Sequence, residues 1–265
     1  MQQDMTAGGA LLPRVGHRPV AGAVEVRLLD AAGPGEARAA ERLAAILAPE
    51  EQQRAASFVR AADRNLYLVA HVGLRLLLGA CLGVPPAAVD LRRAPCPLCG
   101  ALHGRPEVAA EPALHFSLSH SGTVALCAVA AEPVGVDVET SPAGASGAEL
   151  AGALHPMERH ALALLPEERR AEAFLHCWVR KEAYLKGIGT GLGIDPATMR
   201  VGLGPQYGDP APPSLGGWTL APVPAPVGSV AAVALLHGDA PAVTVRPLPL
   251  GAVVAAADRT AGESA

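Results

Sequence analysis

In PVGVDVET (133–140), Val134, Val136 and Val138 alternate with Gly135, Asp137 and Glu139. That period predicts a strand with one apolar face and two carboxylates pointing the same way on the other. Strands are also expected at 24–29 (VEVRLL), 124–131 (VALCAVAA) and 230–236 (VAAVALL), and at 115–122 (HFSLSHSG), where Ser117, Ser119 and Ser121 alternate with Phe116, Leu118 and His120. Long helices are expected over 64–79 and 172–187, and helix starts at 48–51 (APEE) and 155–158 (HPME), each with Pro early in the first turn. Residues 205–228 carry too many Pro and Gly for anything but loop around one short strand. Residues 1–22 and 254–265, Gly/Ala-rich and without pattern, are expected to be loose.

The expected elements come in the same order twice, at offsets of 106–110 residues. Duplication predicts an α+β protein of two like subdomains, 1–131 and 132–265, with a site in the cleft between them and the metal ligands in the second.

One acid interrupts an apolar face. In FLHCWVRKEAYLKG (174–187), Phe174, Trp178 and Leu185 share a helix face and Glu182 falls inside it. A carboxylate among apolar neighbours is costly unless neutralised. An i,i+4 ion pair with Lys186 is the plain explanation. Asp137 and Glu139 offer another: three carboxylates suffice for a hard divalent cation, Mg²⁺ with Mn²⁺ as substitute, which leaves coordination positions for phosphate oxygens. Ser119, His120, Arg105 (in HGRP) and Arg64 are then candidates for the phosphates. GIGTGLG (187–193) follows a helix and lacks the G-x-G-x-x-G spacing, so it reads as a helix stop and not as a nucleotide loop.

Composition adds limits. The net charge of −4 gives no basic field for nucleic acid. No apolar run is expected to reach bilayer length, so no membrane partner is expected. Five Cys and no charged-then-apolar leader fit a reducing, cytoplasmic setting. Of 21 basic residues only Lys181 and Lys186 are lysine, which hints at a need for a compact ammonium there. CPLCGALH (96–103) resembles half a zinc site, with Cys96, Cys99 and His103. Structural zinc wants four ligands and there is no second C-x-x-C, so the expectation is a cysteine-lined loop without metal, with zinc at Cys96/Cys99 as the alternative.

Together GVDVE (135–139), WVRKEAYLK (178–186), FSLSHS (116–121) and Arg105-Pro106 resemble the surfactin-synthetase type of 4′-phosphopantetheinyl transferase. That family's pattern is G-[IV]-D-[IV]-E, then W-x-x-K-E-x-x-x-K some forty residues on, preceded by F-x-x-S-H-S and a basic-Pro pair. The resemblance runs over roughly residues 45–240 and implies a pseudo-twofold fold with coenzyme A between the halves. It implies that Asp137, Glu139 and Glu182 hold Mg²⁺ on the diphosphate. Arg54, Arg64 and Arg105 (with Pro106) would meet the 3′-phosphate and adenylate, and Ser119, His120 and Lys186 the phosphate chain. Lys181 and Glu158 match positions near the reacting phosphate. The implied reaction moves phosphopantetheine to a serine of an acyl or peptidyl carrier protein, releasing adenosine 3′,5′-bisphosphate, with Glu182, Glu158 or a metal-bound water taking the proton. Glu51 stands where some relatives have Lys, so Arg54 or Arg60 would read the 3′-phosphate. Carrier recognition is expected near 141–165, and a monomer is expected because one chain builds the whole cleft. A metal-dependent phosphoester hydrolase is the competing enzyme class, and a zinc-dependent interaction module the competing non-enzyme.

Overall fold

The computed structural model describes residues 11–109, 114–140, 151–210 and 215–263. In chain order the elements are β1 (Ala23–Asp30), α1 (Glu36–Leu43), α2 (Pro49–Ala56), α3 (Ala61–Leu82), β2 (Leu91–Arg93), β3 (Pro106–Val108), β4 (His115–Ser121) and β5 (Val124–Ala130). Next come β6 (Val134–Thr140), α4 (Pro156–Ala163), α5 (Glu167–Ile188), β7 (Trp218–Pro222), β8 (Ser229–Leu236), β9 (Ala242–Pro247) and α6 (Leu250–Glu263). The α+β class and all the expected strands and helices are present. The segment 205–228 holds one strand, β7, and one short 3-10 turn among its described residues.

By contacts the chain forms two compact units that interleave in sequence. One comprises residues up to His17, Leu29–Val89 and Pro247 onward; the other comprises Arg18–Leu28 and Asp90–Arg246.

The first unit is helical. Its long helix α3 is buried along most of its length, including Arg75. Gly73 lets Leu29 pack onto α3, because a Cβ there would stand 2.3 Å from the Leu29 side chain. Arg75 is drawn inside by Glu51, whose carboxylate lies 2.5 Å from Nε, while Nη1 donates to the carbonyls of Pro86 (3.2 Å) and Val89 (3.1 Å). Glu51 also accepts the Ala48 N–H at 2.8 Å, capping α2.

Two expectations are corrected here. Residues 254–263 are not loose: α6 runs to Glu263, and 264–265 lie outside the described residues. Its start is capped by Glu36, which accepts the N–H groups of Leu250 (2.7 Å) and Gly251 (3.1 Å), and Arg42 pairs with Asp258 at 3.0 Å. Both partners come from distant sequence, so local pattern does not signal the helix. Nor is an apolar run of bilayer length absent. Ala61–Leu82 is long and apolar enough, and 78% of its 18-residue apolar window is buried within the protein. Arg75 interrupts the run in sequence without making the helix polar on average.

The second unit holds the β structure, in sheets ordered β4-β5-β1-β9, β2-β3 and β6-β8-β7. One apolar core joins the two larger sheets: Val24 and Val26 of β1, Leu126 of β5, Val134, Val136 and Val138 of β6, and Val233 of β8. The outer face of β6 packs on α5, and the fit is tight at Gly135. A Cβ at that position would lie 1.9 Å from the Ala183 carbonyl oxygen. Gly187, one turn further along α5, leaves room in the same way for the Trp218 ring.

The element series repeats. α2 and α4 each have 8 residues, with Pro in the first turn, and α3 and α5 each have 22. Both long helices stop at a left-handed glycine, Gly83 (φ 72°) and Gly189 (φ 83°). The order β4-β5-β1 is matched by β7-β8-β6.

Gly135→Ala is expected to destabilise the fold by about 1–3 kcal/mol or more, because the added methyl meets backbone that cannot swing away. Urea unfolding of the variant beside the wild type checks this; an unchanged midpoint would show that α5 and β6 do not touch there.

Candidate functional site

Strand β6 is at the edge of its sheet, and alternate amides on its free side need partners. Strand β4, running parallel to it, supplies them from side chains. Val136 N–H donates to Ser117 Oγ (3.0 Å), Val138 N–H to Ser119 Oγ (3.3 Å) and Thr140 N–H to Ser121 Oγ (3.1 Å). Two of the hydroxyls donate in turn to the acids of β6. Ser119 donates to Asp137 Oδ1 and Ser121 to Glu139 Oε2, both at 2.8 Å. The sequence shows the three serines at strand period but not their partners on β6.

Helix α5 brings the other charges. Lys186 Nζ lies 2.6 Å from Asp137 Oδ1 and 2.8 Å from Ser119 Oγ. Asp137 is buried, and its second oxygen, Oδ2, is buried without a hydrogen-bond partner. Burial pushes the Asp137 carboxyl above its ordinary range, against the opposing pull of Lys186 and Ser119. Glu139 is raised by burial and then by the charge of Asp137, and Ser121 offsets part of this. Glu182 is raised by burial, then by Asp137 and Glu139. The three acids therefore feel one another as like charges in a partly dry site. Three carboxylates with one orphaned oxygen are the residue types that suit a hard cation, although their oxygens do not all lie within 4.8 Å of one another in this structure.

Lys181 leaves α5 on another side. It and Glu158 are wholly buried and 2.7 Å apart. Lys181 also donates to the carbonyls of Pro196 (2.9 Å) and Met199 (2.6 Å), which uses all three of its protons. Glu158 accepts the N–H groups of His155 (2.9 Å), Val201 (2.7 Å) and Gly202 (3.0 Å). Arg180 pins the same segment through the carbonyls of Val201 and Gly202. In this structure the pair ties α4, α5 and residues 196–202 together and presents no atom to a ligand.

The remaining predicted residues have varied settings. Arg105 donates to the Gly187 carbonyl at 2.9 Å, and burial lowers its guanidinium from the usual range. It lines a cavity of 340 Å³ with Pro95, Pro97, Gly187, Gly189 and Trp218. Pro106 opens β3 beside it. His120 is exposed, on the face of β4 opposite the serines. In the other unit, Arg54 lies over the Phe58 ring at 4.9 Å and Arg64 pairs with Glu41 at 2.9 Å. Glu51 belongs to the buried Arg75 contact, which accounts for an acid at that position. GIGTGLG ends α5 at Gly189 and continues as a short 3-10 turn, as a helix stop should. Among the described residues, the one group of three His, Cys, Asp or Glu whose donor atoms all lie within 4.8 Å of one another is Cys96, Cys99 and His103.

The family model described as the 4′-phosphopantetheinyl transferase superfamily matches residues 133–206, which include β6 and α5. A second, described as 4′-phosphopantetheinyl transferase, N-terminal, matches residues 35–134. The chain belongs to the 4′-phosphopantetheinyl transferase superfamily. Its similar relatives include the 4′-phosphopantetheinyl transferase HetI of Nostoc sp., 36% identical over 57% of this chain and 62% of that protein. The 4′-phosphopantetheinyl transferase Sfp of Bacillus subtilis is 25% identical over 58% of this chain and 65% of its own length. A phosphopantetheinyl transferase of Thraustochytrium sp. is 34% identical over 65% and 63%. The chain thus matches somewhat under two thirds of the length of each of these superfamily members.

Two glutamates should respond oppositely to the loss of charge. Glu158→Gln leaves the buried Lys181 ammonium without its counter-charge and is expected to cost about 3–5 kcal/mol. Glu182→Gln removes a repelled carboxylate and should leave stability unchanged or raised. Urea unfolding of both variants in a chelator-containing buffer tests the pair; equal destabilisation would overturn the division between them.

Proposed function

We propose that this chain transfers the 4′-phosphopantetheine arm of coenzyme A to a serine of an acyl or peptidyl carrier protein and releases adenosine 3′,5′-bisphosphate. The dependence would be on Mg²⁺, or Mn²⁺, held by Asp137, Glu139 and Glu182. The observation that carries this reading is the buried, unpartnered Asp137 Oδ2 within three mutually repelling acids that one ammonium only partly offsets. A divalent cation bound there supplies the neutralising charge that a diphosphate needs.

The chain's own groups have separable parts. Lys186 keeps part of its surface exposed while it holds Asp137, so its ammonium can also meet a phosphate oxygen. Arg105, beside the 340 Å³ cavity, offers a second cation to the anionic substrate, and Arg54, Arg64 and His120 are assigned to its 3′-phosphate and phosphate chain. Ser119 has committed its proton to Asp137, so it orients that carboxylate and presents only its oxygen to other donors. The carrier serine oxygen forms a bond to the pantetheine-side phosphorus as the bond from that phosphorus to the adenylate side breaks. The leaving bisphosphate takes the electron pair. The serine proton would go to Glu182 or to water; Glu158 is wholly buried and engaged by four donors, so it is not the acceptor. Glu158 and Lys181 act by holding residues 196–202. Two like halves that meet near residue 132 remain our reading of the repeat, supported by equal helix lengths and by family models that abut at 133–134. Carrier docking is placed on 151–165; the rest of the expected 141–165 surface lies outside the described residues.

Incubation with coenzyme A, Mg²⁺ and apo carrier proteins, followed by mass spectrometry of the carriers, should show the gain of one phosphopantetheine. Asp137→Ala, Glu182→Gln or excess chelator should each lower the rate at least 100-fold while the chain stays folded. Coenzyme A consumed with no gain on any carrier would favour the hydrolase class and sink this proposal.

A further inference from the structure

The hairpin between β2 and β3 carries a cluster that the proposed transfer reaction does not use. Cys96, Cys99 and His103 place two sulfurs and a ring nitrogen within 4.8 Å of one another, and Cys99 Sγ lies 3.1 Å from His103 Nε2. A tetrahedral zinc with Zn–S about 2.3 Å and Zn–N about 2.0 Å holds such a pair about 3.5 Å apart. The Cys99–His103 pair is therefore within about half an ångström of liganding distance, and the Cys96 sulfur lies within 4.8 Å of both.

The backbone around them is built as a knuckle. Cys96 N–H donates to Ala101 O (2.7 Å) and Gly100 N–H to Cys96 O (2.8 Å), with Gly100 in the left-handed region at φ 77°. The backbone N–H groups of Leu98 and Cys99 donate to the Cys96 sulfur. The base of the hairpin is closed by Ala94 N–H to Arg105 O (3.0 Å) and Gly104 N–H to Ala94 O (2.9 Å). Gly104 has no room for a side chain, since a Cβ would lie 2.7 Å from the Ala94 oxygen. Cys96 is buried at the root of the turn, whereas Cys99 and His103 are exposed at its rim.

We propose that Cys96, Cys99 and His103 bind one Zn²⁺, with water in the fourth position. Two sulfurs and an imidazole nitrogen are the ligands of a borderline-soft ion and not of Mg²⁺, so this site and the carboxylate site select different metals. Binding converts the two thiols to thiolates and releases their protons to solvent. A thiol–imidazole hydrogen bond alone would explain the Cys99–His103 contact. It gives no reason for two amides to be aimed at Cys96 or for all three donor atoms to converge.

The metal would clasp the segment that carries Arg105. Leu98, between the two cysteines, packs against Gly193, and the backbone of Arg105 packs against Gly189. Arg105 also holds the Gly187 carbonyl at the end of α5. The role assigned to the zinc is thus to fix residues 94–105 against the end of the helix that carries Glu182 and Lys186, without contact with substrate.

The test uses the full chain, reduced with a phosphine, stripped with chelator and titrated with Co²⁺ as a spectroscopic stand-in. One equivalent should produce the intense visible ligand-field bands and near-ultraviolet thiolate-to-cobalt charge transfer of a tetrahedral sulfur site. Zn²⁺ should abolish both, and excess Mg²⁺ neither. After gel filtration, elemental analysis should find one zinc per chain. Cys99→Ser and His103→Ala should each weaken binding at least tenfold, with the circular dichroism spectrum unchanged. No cobalt spectrum from the reduced wild type would overturn the proposal, as would variants that bind like the wild type. Two thiols lost to a disulfide, with no metal uptake after reduction, would make the pair a redox couple and refute it as well.

Discussion

The carbonyl oxygen of Ala183 occupies the space where a side chain at position 135 would begin, so β6 and α5 meet with only hydrogen between them. The period of each element then fixes which side chains lie beyond that contact. Two and four residues on in the strand, Asp137 and Glu139 point to the same side as Gly135. From the helix Lys186 meets Asp137, and Glu182 lies near enough for both acids to raise its carboxyl. The resulting site is electrostatically unfavourable by itself: desolvation raises all three acids, like charge further raises Glu139 and Glu182, and Lys186 is the one group that lowers each of them. Separating α5 from β6 to relax it would open the close approach of Ala183 to Gly135.

Such a site persists only if the rest of the fold holds it in place. Part of that holding comes from the buried contact of Glu158 with Lys181, which has a counterpart in the first unit. In each instance a glutamate at the third position of a short helix caps that helix and reaches a cation midway along a 22-residue helix. The cation then donates to two carbonyls of the turn after that helix: Glu51, Arg75, Pro86 and Val89 in one case, Glu158, Lys181, Pro196 and Met199 in the other. Buried ion pairs gain little unless every remaining proton and lone pair is used. Lys181 meets that condition with three acceptors. The two instances also separate a carboxylate that serves structure from one that serves chemistry, although Glu158 and Glu182 are the same residue type in neighbouring motifs.

Periodicity made most of this legible in the sequence. Alternation located β6, and a glutamate inside an apolar helix stripe singled out Glu182. The order and offset of the motifs carry the repeated series of elements. The features that stayed hidden depend on partners distant in sequence. The cap on α6 comes from Glu36, and the burial of Arg75 within an apolar helix needs Glu51 and two carbonyls. Lys181 and Lys186 are five residues apart and looked alike in composition. They leave the helix on different sides, one into a closed contact and the other onto Asp137. The serines of β4 were visible as an alternation, but their principal work, hydrogen bonding to the amides of β6, cannot be read from one strand alone.

That serine ladder explains why two sheet edges meet through side chains and not by direct pairing. Backbone pairing of β4 with β6 would satisfy the same three amides but leave nothing to orient the acids. A hydroxyl can accept from an N–H and donate to a carboxylate at once. Ser119 does so for Val138 and Asp137, and Ser121 does so for Thr140 and Glu139. Each carboxylate is thereby referenced to the backbone of its own strand through a neighbour on the next. Ser117, one step earlier on β4, meets only an amide, because the matching position on β6 is Gly135, where α5 leaves no room for a side chain. The ladder and the close approach are therefore two sides of one arrangement: where the helix touches the strand there can be no acid, and where it turns away the serines fix the acids in place.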